Sequence, residues 1–220
     1  MKSFGYDINP EIINYDSSIR DKICIIKVLI ETIRFINISK PQYTSKLSDE
    51  IDSGKIRLVI FIDKMSRIFI SENDKIHSFN FPFLLSIQDE KYALSFNGFQ
   101  LTNASCSILA RVFNEISEED TVDNILEQYW EISSDFSLTS EENKLYSQLI
   151  TYFLSFEPGY LRFDHDEKNG DKDYHPVNHI DFNYTNGATF KFGLSKSIEY
   201  EKLIDIVNLH TPCAYLKDIT

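Results

Sequence analysis

Residues 55–100 read KIRLVIFIDKMSRIFISENDKIHSFNFPFLLSIQDEKYALSFNGFQ, and this stretch makes the first half of the chain rich in β-structure. Its short runs of β-branched and aromatic residues are separated by polar turn residues, a pattern typical of β-strands. We predict strands at Ile56–Ile62, Ser66–Ser71, Phe83–Gln88 and Tyr92–Asn97. Because tight connections pair neighbouring strands, we expect an antiparallel meander.

Helical patterns lie on both sides of this meander. Apolar residues recur at helix spacing from about Ser17 to Ile36, and Asn9-Pro10 has the form of a helix beginning. Ser105–Phe113 fits a strand and a helix equally well. Further helices are predicted over about 117–131, from a capping box at 139–142 to about 153, and over about 198–209.

The order of elements predicts an α+β protein. It comprises an N-terminal helix, the antiparallel meander, central helices, and a C-terminal three-strand element with a final helix. The three C-terminal strands are predicted at 160–163, 178–184 and 189–192. We expect residues 1–220 to form a single composite domain, with an alternative sub-boundary near residue 115 that no linker marks.

The composition predicts a folded chain that needs no disulfide. Hydrophobic residues make up 42% and aromatic residues 14%, which is ample material for a core. Cys24, Cys106 and Cys213 are far apart and form no CxxC pair, so we expect a reducing, cytoplasmic location. The chain has no clean apolar run of about 18 residues and no signal-peptide pattern, so we expect no membrane contact.

The charge of the chain argues against direct binding to nucleic acid. The formal net charge is −12, and long-range repulsion disfavours contact with a polyanion. Residues 17–70 are mildly basic, with ten Lys and Arg against six Asp and Glu. We therefore expect nucleic acid to be reached only indirectly or through a partner protein.

Residues 160–182, YLRFDHDEKNGDKDYHPVNHIDF, hold three of the five histidines and five aspartates. Strand alternation places the polar side chains of each flanking strand on one face. If the two strands pair antiparallel, those side chains form one outward-facing patch, over which His175-Pro176 can fold. The candidate catalytic patch consists of Arg162, Asp164, His175, His179 and Asp181, with Asp166 beside it.

The patch admits several interpretations. In general acid–base catalysis, carboxylates orient His179 and Arg162 holds a phosphate, as in a metal-independent nuclease or phosphodiesterase. In a divalent metal site, the ligands are Asp164, Asp166, His175 and His179. His175-x3-His179 resembles a zinc half-site, but the HExxH motif is absent and Pro176 disfavours a helix through both histidines. In a calcium site, Asp164-x-Asp166 matches the first positions of an EF-hand loop, but the glycine that such a loop requires is missing. In a purely structural interpretation, ion pairs brace a hairpin.

Two motifs carry a resemblance to a known family. The rows LRFDHD at 161–166 and HPVNHI at 175–180 resemble an uncharacterised bacterial family, the domain-of-unknown-function family 2290. That family pairs an LRFDxD strand with an HPxxHL strand, followed by an apolar strand and a helix. At the apolar strand the family carries an arginine, where this chain has Lys191 between two phenylalanines.

The resemblance implies a biological setting. Proteins of this kind occur in bacterial anti-phage defence loci, often beside an ATPase of the ABC or SMC-like kind. It implies that the chain is an accessory, sensor or effector subunit of a defence complex. The alternative is a toxin effector that acts as an RNase or phosphodiesterase through the candidate patch. No cofactor is indicated.

Overall fold

The computed structural model describes residues 2–15, 19–42, 54–62, 65–72, 74–88, 91–116, 120–171, 173–185 and 189–215. Its strands are β1 Lys2–Ile8, β2 Ile56–Ile62, β3 Arg67–Glu72, β4 Lys75–Asn80, β5 Leu84–Gln88, β6 Lys91–Phe96, β7 Phe99–Gln100, β8 Leu161–His165, β9 Asn178–Phe182 and β10 Phe190–Gly193. Its α-helices are α1 Lys22–Ile36, α2 Asn103–Asn114, α3 Val122–Ser133, α4 Ser140–Ser155 and α5 Tyr200–Val207. The α+β prediction is confirmed.

The strands form two antiparallel sheets. The larger has the order β1-β2-β3-β4-β8-β9-β10, and the smaller has the order β5-β6-β7. Strand β8, which follows α4, pairs with β4 of the meander, so strands from both sides of residue 115 belong to one sheet. This pairing brings the strands that carry the candidate patch next to the first half of the chain.

Several predicted boundaries shift in the structure. Strands β1, β4 and β7 were not predicted. The predicted helix beginning at Asn9-Pro10 is only a 3-10 helix at Pro10–Ile13, closed by Asn14 at φ 45°. The predicted beginning of α1 at Ser17 lies outside the described residues. The helix begins after Asp21, whose carboxylate accepts a hydrogen bond from the Cys24 backbone N–H at 2.6 Å.

Two other helices show clear capping. The capping box predicted at Thr139–Glu142 is present, because the Thr139 hydroxyl accepts from the Glu142 N–H and the Glu142 carboxylate accepts from the Thr139 N–H. The ambiguous stretch Ser105–Phe113 is helical. Its local reason is a second capping box, between Thr102 and Ser105, which the sequence interpretation did not include.

The larger sheet is covered on both faces. All seven residues of β2 are buried, which explains its nearly continuous apolar sequence. One face packs on the main core with helices α1 to α4, and the other packs on a smaller cluster that includes Phe69, Phe163 and Leu203 of α5. Among the described residues, no helix is long and apolar enough to cross a bilayer.

Candidate functional site

One row of cross-strand partners leads from the main core to the candidate patch. Directly opposite residues run Ile70, His77, Arg162, Asp181 and Lys191 across β3, β4, β8, β9 and β10. Opposite residues on antiparallel strands point to the same face of a sheet. The row therefore changes from apolar to charged along one face, and the charged end lies at strands β8 to β10.

The predicted pairing of the two motif strands is confirmed. Arg162 lies opposite Asp181, and Asp164 lies opposite His179. The prediction of an outward-facing patch is wrong, however. Asp164, His179 and Asp181 are 4%, 0% and 3% exposed, because their face of the sheet continues the face that carries the main core.

Arg162 holds the two buried carboxylates together. Its Nη2 atom lies 2.6 Å from Asp164 Oδ2 and 2.5 Å from Asp181 Oδ2. Burial alone would lower the pKa of Arg162, but the neighbouring Asp164, Tyr160 and Asp181 outweigh it and raise the pKa. The guanidinium is therefore charged, and it is not free to hold a phosphate through Nη2 unless these ion pairs break.

Lys191 is a further member of the site that the sequence interpretation did not include. Its Nζ atom donates to Asp181 Oδ1 at 2.9 Å and lies 3.5 Å from His179 Nε2. The signal was present in the sequence, since alternation on the predicted third strand places Lys191 between two phenylalanines that face the other side. The pairing of β10 with β9 supplied the missing link.

A backbone carbonyl fixes the tautomer of His179. Its Nδ1 lies 2.7 Å from the Pro176 carbonyl oxygen, which can only accept, so Nδ1 carries the hydrogen. In the neutral imidazole the lone pair is then on Nε2, which lies 3.5 Å from Asp164 Oδ2 and 3.8 Å from Asp181 Oδ2. His179 Nε2 therefore faces two carboxylates and the Lys191 ammonium.

His175 lies over His179, and Asp166 lies beside it. The two imidazole rings make an edge contact, with centroids 4.6 Å apart, and His175 Nε2 is 3.6 Å from Asp166 Oδ2. Asp166 itself accepts hydrogen bonds from the Asn169 side chain and backbone, which lower its pKa to about 2. Asp166 is therefore a turn-forming residue at the edge of the candidate patch, and His175 lies between Asp166 and His179.

The three buried residues also have donor atoms close enough for a metal. One ligand atom each of Asp164, His179 and Asp181 lies within 4.8 Å of the others. However, Arg162 Nη2 already lies between the two carboxylates and Lys191 holds the second oxygen of Asp181. The two positive charges balance the two negative ones, so the arrangement favours a site in which side-chain cations take the place of a metal ion.

His77 and Tyr160 support Arg162 from the core side. The Tyr160 hydroxyl is 3.0 Å from His77 Nδ1, and His77 is fully buried. Burial, followed by the charges of Arg162 and Lys75, lowers the pKa of His77 to about 3. His77 is therefore neutral and acts as a fixed neighbour of the site.

The lowered pKa of His77 predicts that the stability of the protein depends on pH. Between pH 3 and 6.5 the unfolded chain binds a proton at residue 77 that the folded chain does not bind, so stability falls as pH falls. Going from pH 7 to pH 5, we expect His77 to reduce the free energy of unfolding by about 2 kcal/mol. Urea unfolding of wild type and His77→Gln at both pH values measures this change in the free energy of unfolding. Equal losses in the two proteins would contradict the assignment.

A pocket of about 410 Å³ opens onto the charged end of the row. Arg162, Asp181 and Lys191 form part of its lining, with Arg20 from the segment before α1. Tyr160, Asn183, Tyr184 and Thr189 complete the polar wall, and Ile19 is also present. The pocket makes the buried network accessible on the Lys191 side. Asp164 and His179 lie behind the lining residues.

No family model, curated protein or solved structure matches this chain. The likeness of 161–166 and 175–180 to the domain-of-unknown-function family 2290 therefore stays a prediction from those motifs.

Proposed function

We propose that this protein is a metal-independent phosphodiesterase, of the RNase-like effector type, with its active site at the β8–β9–β10 end of the larger sheet. One observation carries the proposal. His179, with Nδ1 held on the Pro176 carbonyl, places Nε2 3.5 Å from both Asp164 and Lys191, behind the side chains that line the pocket. Positioned proton transfer next to fixed charges is the requirement for acid–base hydrolysis of a phosphodiester.

The reaction assigns a role to each residue of the site. His179 Nε2 takes the proton of the attacking water, whose oxygen bonds to phosphorus as the P–O bond to the leaving oxygen breaks. His175 gives a proton to the leaving oxygen. His179 then releases the proton that it took from the water, and His175 takes up a proton in turn, so both residues return to their starting forms. Asp164 and Asp181 orient the imidazole and stabilise its charged form.

The proposed phosphate-binding residue is Lys191 and not Arg162. The sequence interpretation gave this role to Arg162, but its Nη2 atom is engaged with both carboxylates. Lys191 lines the pocket and is about one-quarter exposed, at 28% of its side chain. Its ammonium has three N–H groups, so it can keep its bond to Asp181 and still donate to a phosphate oxygen, whereas Arg162 keeps the carboxylates in place.

The biological setting proposed from the motifs is a subunit of an anti-phage defence complex beside an ABC- or SMC-like ATPase. A specific observation supports a role in protein contact. Several of the large exposed apolar side chains lie in the last quarter of the chain: Tyr174, Phe190, Leu209 and Tyr215 are 87%, 54%, 90% and 85% exposed. Aromatic residues are enriched in protein–protein interfaces. The second candidate function is therefore an accessory subunit that binds a partner without catalysis.

A cleavage assay tests the proposed function. We expect the purified chain to cleave a fluorophore-labelled single-stranded RNA in the presence of EDTA, because Arg162 and Lys191 supply the positive charge. Lys191→Gln is expected to lower the rate about 10²- to 10³-fold, the usual loss for one charge-stabilising donor. Lys196→Gln is the matched control, since Lys196 is an exposed lysine outside the ion-pair network. Loss of activity in EDTA, or equal rates for Lys191→Gln and wild type, would contradict the proposal.

A further inference from the structure

The pocket beside the network has the composition of an anion site. Three of its lining residues are cations, Arg20, Arg162 and Lys191, and one is a carboxylate, Asp181. Arg162 and Lys191 are held by the buried aspartates, whereas Arg20 is an exposed residue of the lining. Because the two buried aspartates balance Arg162 and Lys191, the net positive charge at the pocket comes from Arg20.

An aromatic wall adjoins these cations. Tyr184 follows β9 and packs edge-on against Tyr160, with ring centroids 5.8 Å apart. Asn183, at φ 72°, turns the chain there, and its side-chain oxygen accepts from the Tyr184 N–H at 3.1 Å. Tyr160 is buried and Tyr184 is half-buried, and both line the pocket. An aromatic surface beside cations is the arrangement that binds an unstacked base and its phosphate.

The volume of the pocket restricts the size of the ligand. The pocket volume of about 410 Å³ lies within the range of sites for small ligands. A duplex presents no unstacked base and has the highest charge density.

From these observations we infer that the pocket binds one nucleotide of a short single strand, with the base on Tyr184 and the phosphate between Arg20 and Lys191. The inference deepens the proposed function, on which it rests for the place of the scissile phosphate. It identifies the substrate class as unpaired, nucleotide-sized phosphodiesters rather than duplex nucleic acid.

Binding can be measured apart from cleavage. The probe is a 5′-phosphorylated RNA trinucleotide, titrated by calorimetry into the full chain carrying His179→Asn. We expect Tyr184→Leu in this background to weaken binding about 5- to 100-fold, the range for loss of one base–aromatic stack. Tyr184→Phe keeps the ring and is expected to bind as the parent does. Arg20→Gln is expected to weaken binding and to reduce the salt slope by about 0.7. Arg111→Gln, at an exposed arginine on α2, serves as the charge control.

The outcomes separate the two proposals. Binding that depends on Tyr184 and Arg20, without cleavage by the wild type, supports the nucleotide pocket and overturns the phosphodiesterase. Cleavage that is unaffected by Tyr184→Leu overturns the pocket assignment alone. The assignment is also overturned if a 16-base-pair RNA duplex binds as tightly as the trinucleotide, or if the trinucleotide does not bind.

Discussion

Replacing Arg162 with methionine is expected to lower the free energy of unfolding by about 3 kcal/mol, the lower end of the range for breaking a buried ion pair. The substitution keeps an unbranched, apolar side chain at this position and removes the charge shared by Asp164 and Asp181. Those carboxylates are 4% and 3% exposed, so water cannot replace the guanidinium. Lys191 still holds one oxygen of Asp181, and Arg162 is itself 23% exposed, which keeps the effect below the upper end of the range.

A triple variant tests whether the lost stability comes from the unpaired carboxylates. In the triple variant Arg162→Met, Asp164→Asn and Asp181→Asn, the buried charges are removed together, and we expect most of the lost stability to return. Arg111→Met is the matched control, because the pair of Arg111 with Asp135 is 46% and 57% exposed and is worth at most about 1 kcal/mol. Urea unfolding followed by circular dichroism measures all three variants. A loss for Arg162→Met no larger than that for Arg111→Met would mean that the buried network is not held by Arg162.

Sequence patterns predicted the elements that carry their own local signal. The meander strands β2, β3, β5 and β6 follow from β-branched and aromatic runs, and α4 follows from its capping box. Strand β4, by contrast, contains His77, Ser78 and Lys75 and has too little apolar alternation to be recognised. It is a strand because its neighbours β3 and β8 pair with it on both sides. That information is tertiary and has no local signal in the sequence.

The candidate site was predicted in part for the same reason. Alternation within each strand correctly placed Arg162 with Asp164 and His179 with Asp181, because side chains on a strand have a period of two. Alternation does not say which face meets the core, so the face was taken as outward when it is buried. Arg20 carried no signal, since it reaches the pocket only through the position of the segment before α1.

Replacing His179 with asparagine is expected to reduce cleavage of single-stranded RNA by about 10²- to 10⁴-fold, the usual contribution of a positioned acid–base group. Asparagine keeps an N–H donor near the position of Nδ1, so the hydrogen bond to the Pro176 carbonyl can be retained while Nε2 is lost. The control is His165→Gln. His165 lies on the same hairpin and bonds to Asn178 at 2.7 Å, but alternation places it on the opposite face from the patch.

The same pair of variants distinguishes an effector enzyme from an accessory subunit. If the site is catalytic and the proposed defence role is correct, His179→Asn removes phage protection in cells and leaves binding to the proposed ATPase partner intact, whereas His165→Gln keeps both. Unfolding measurements on the purified variants show whether His179→Asn is folded, because His179 is fully buried and its loss could act through stability. A folded His179→Asn protein that protects cells as well as the wild type would overturn the phosphodiesterase. Protection would then have to come from contact between this chain and its partner.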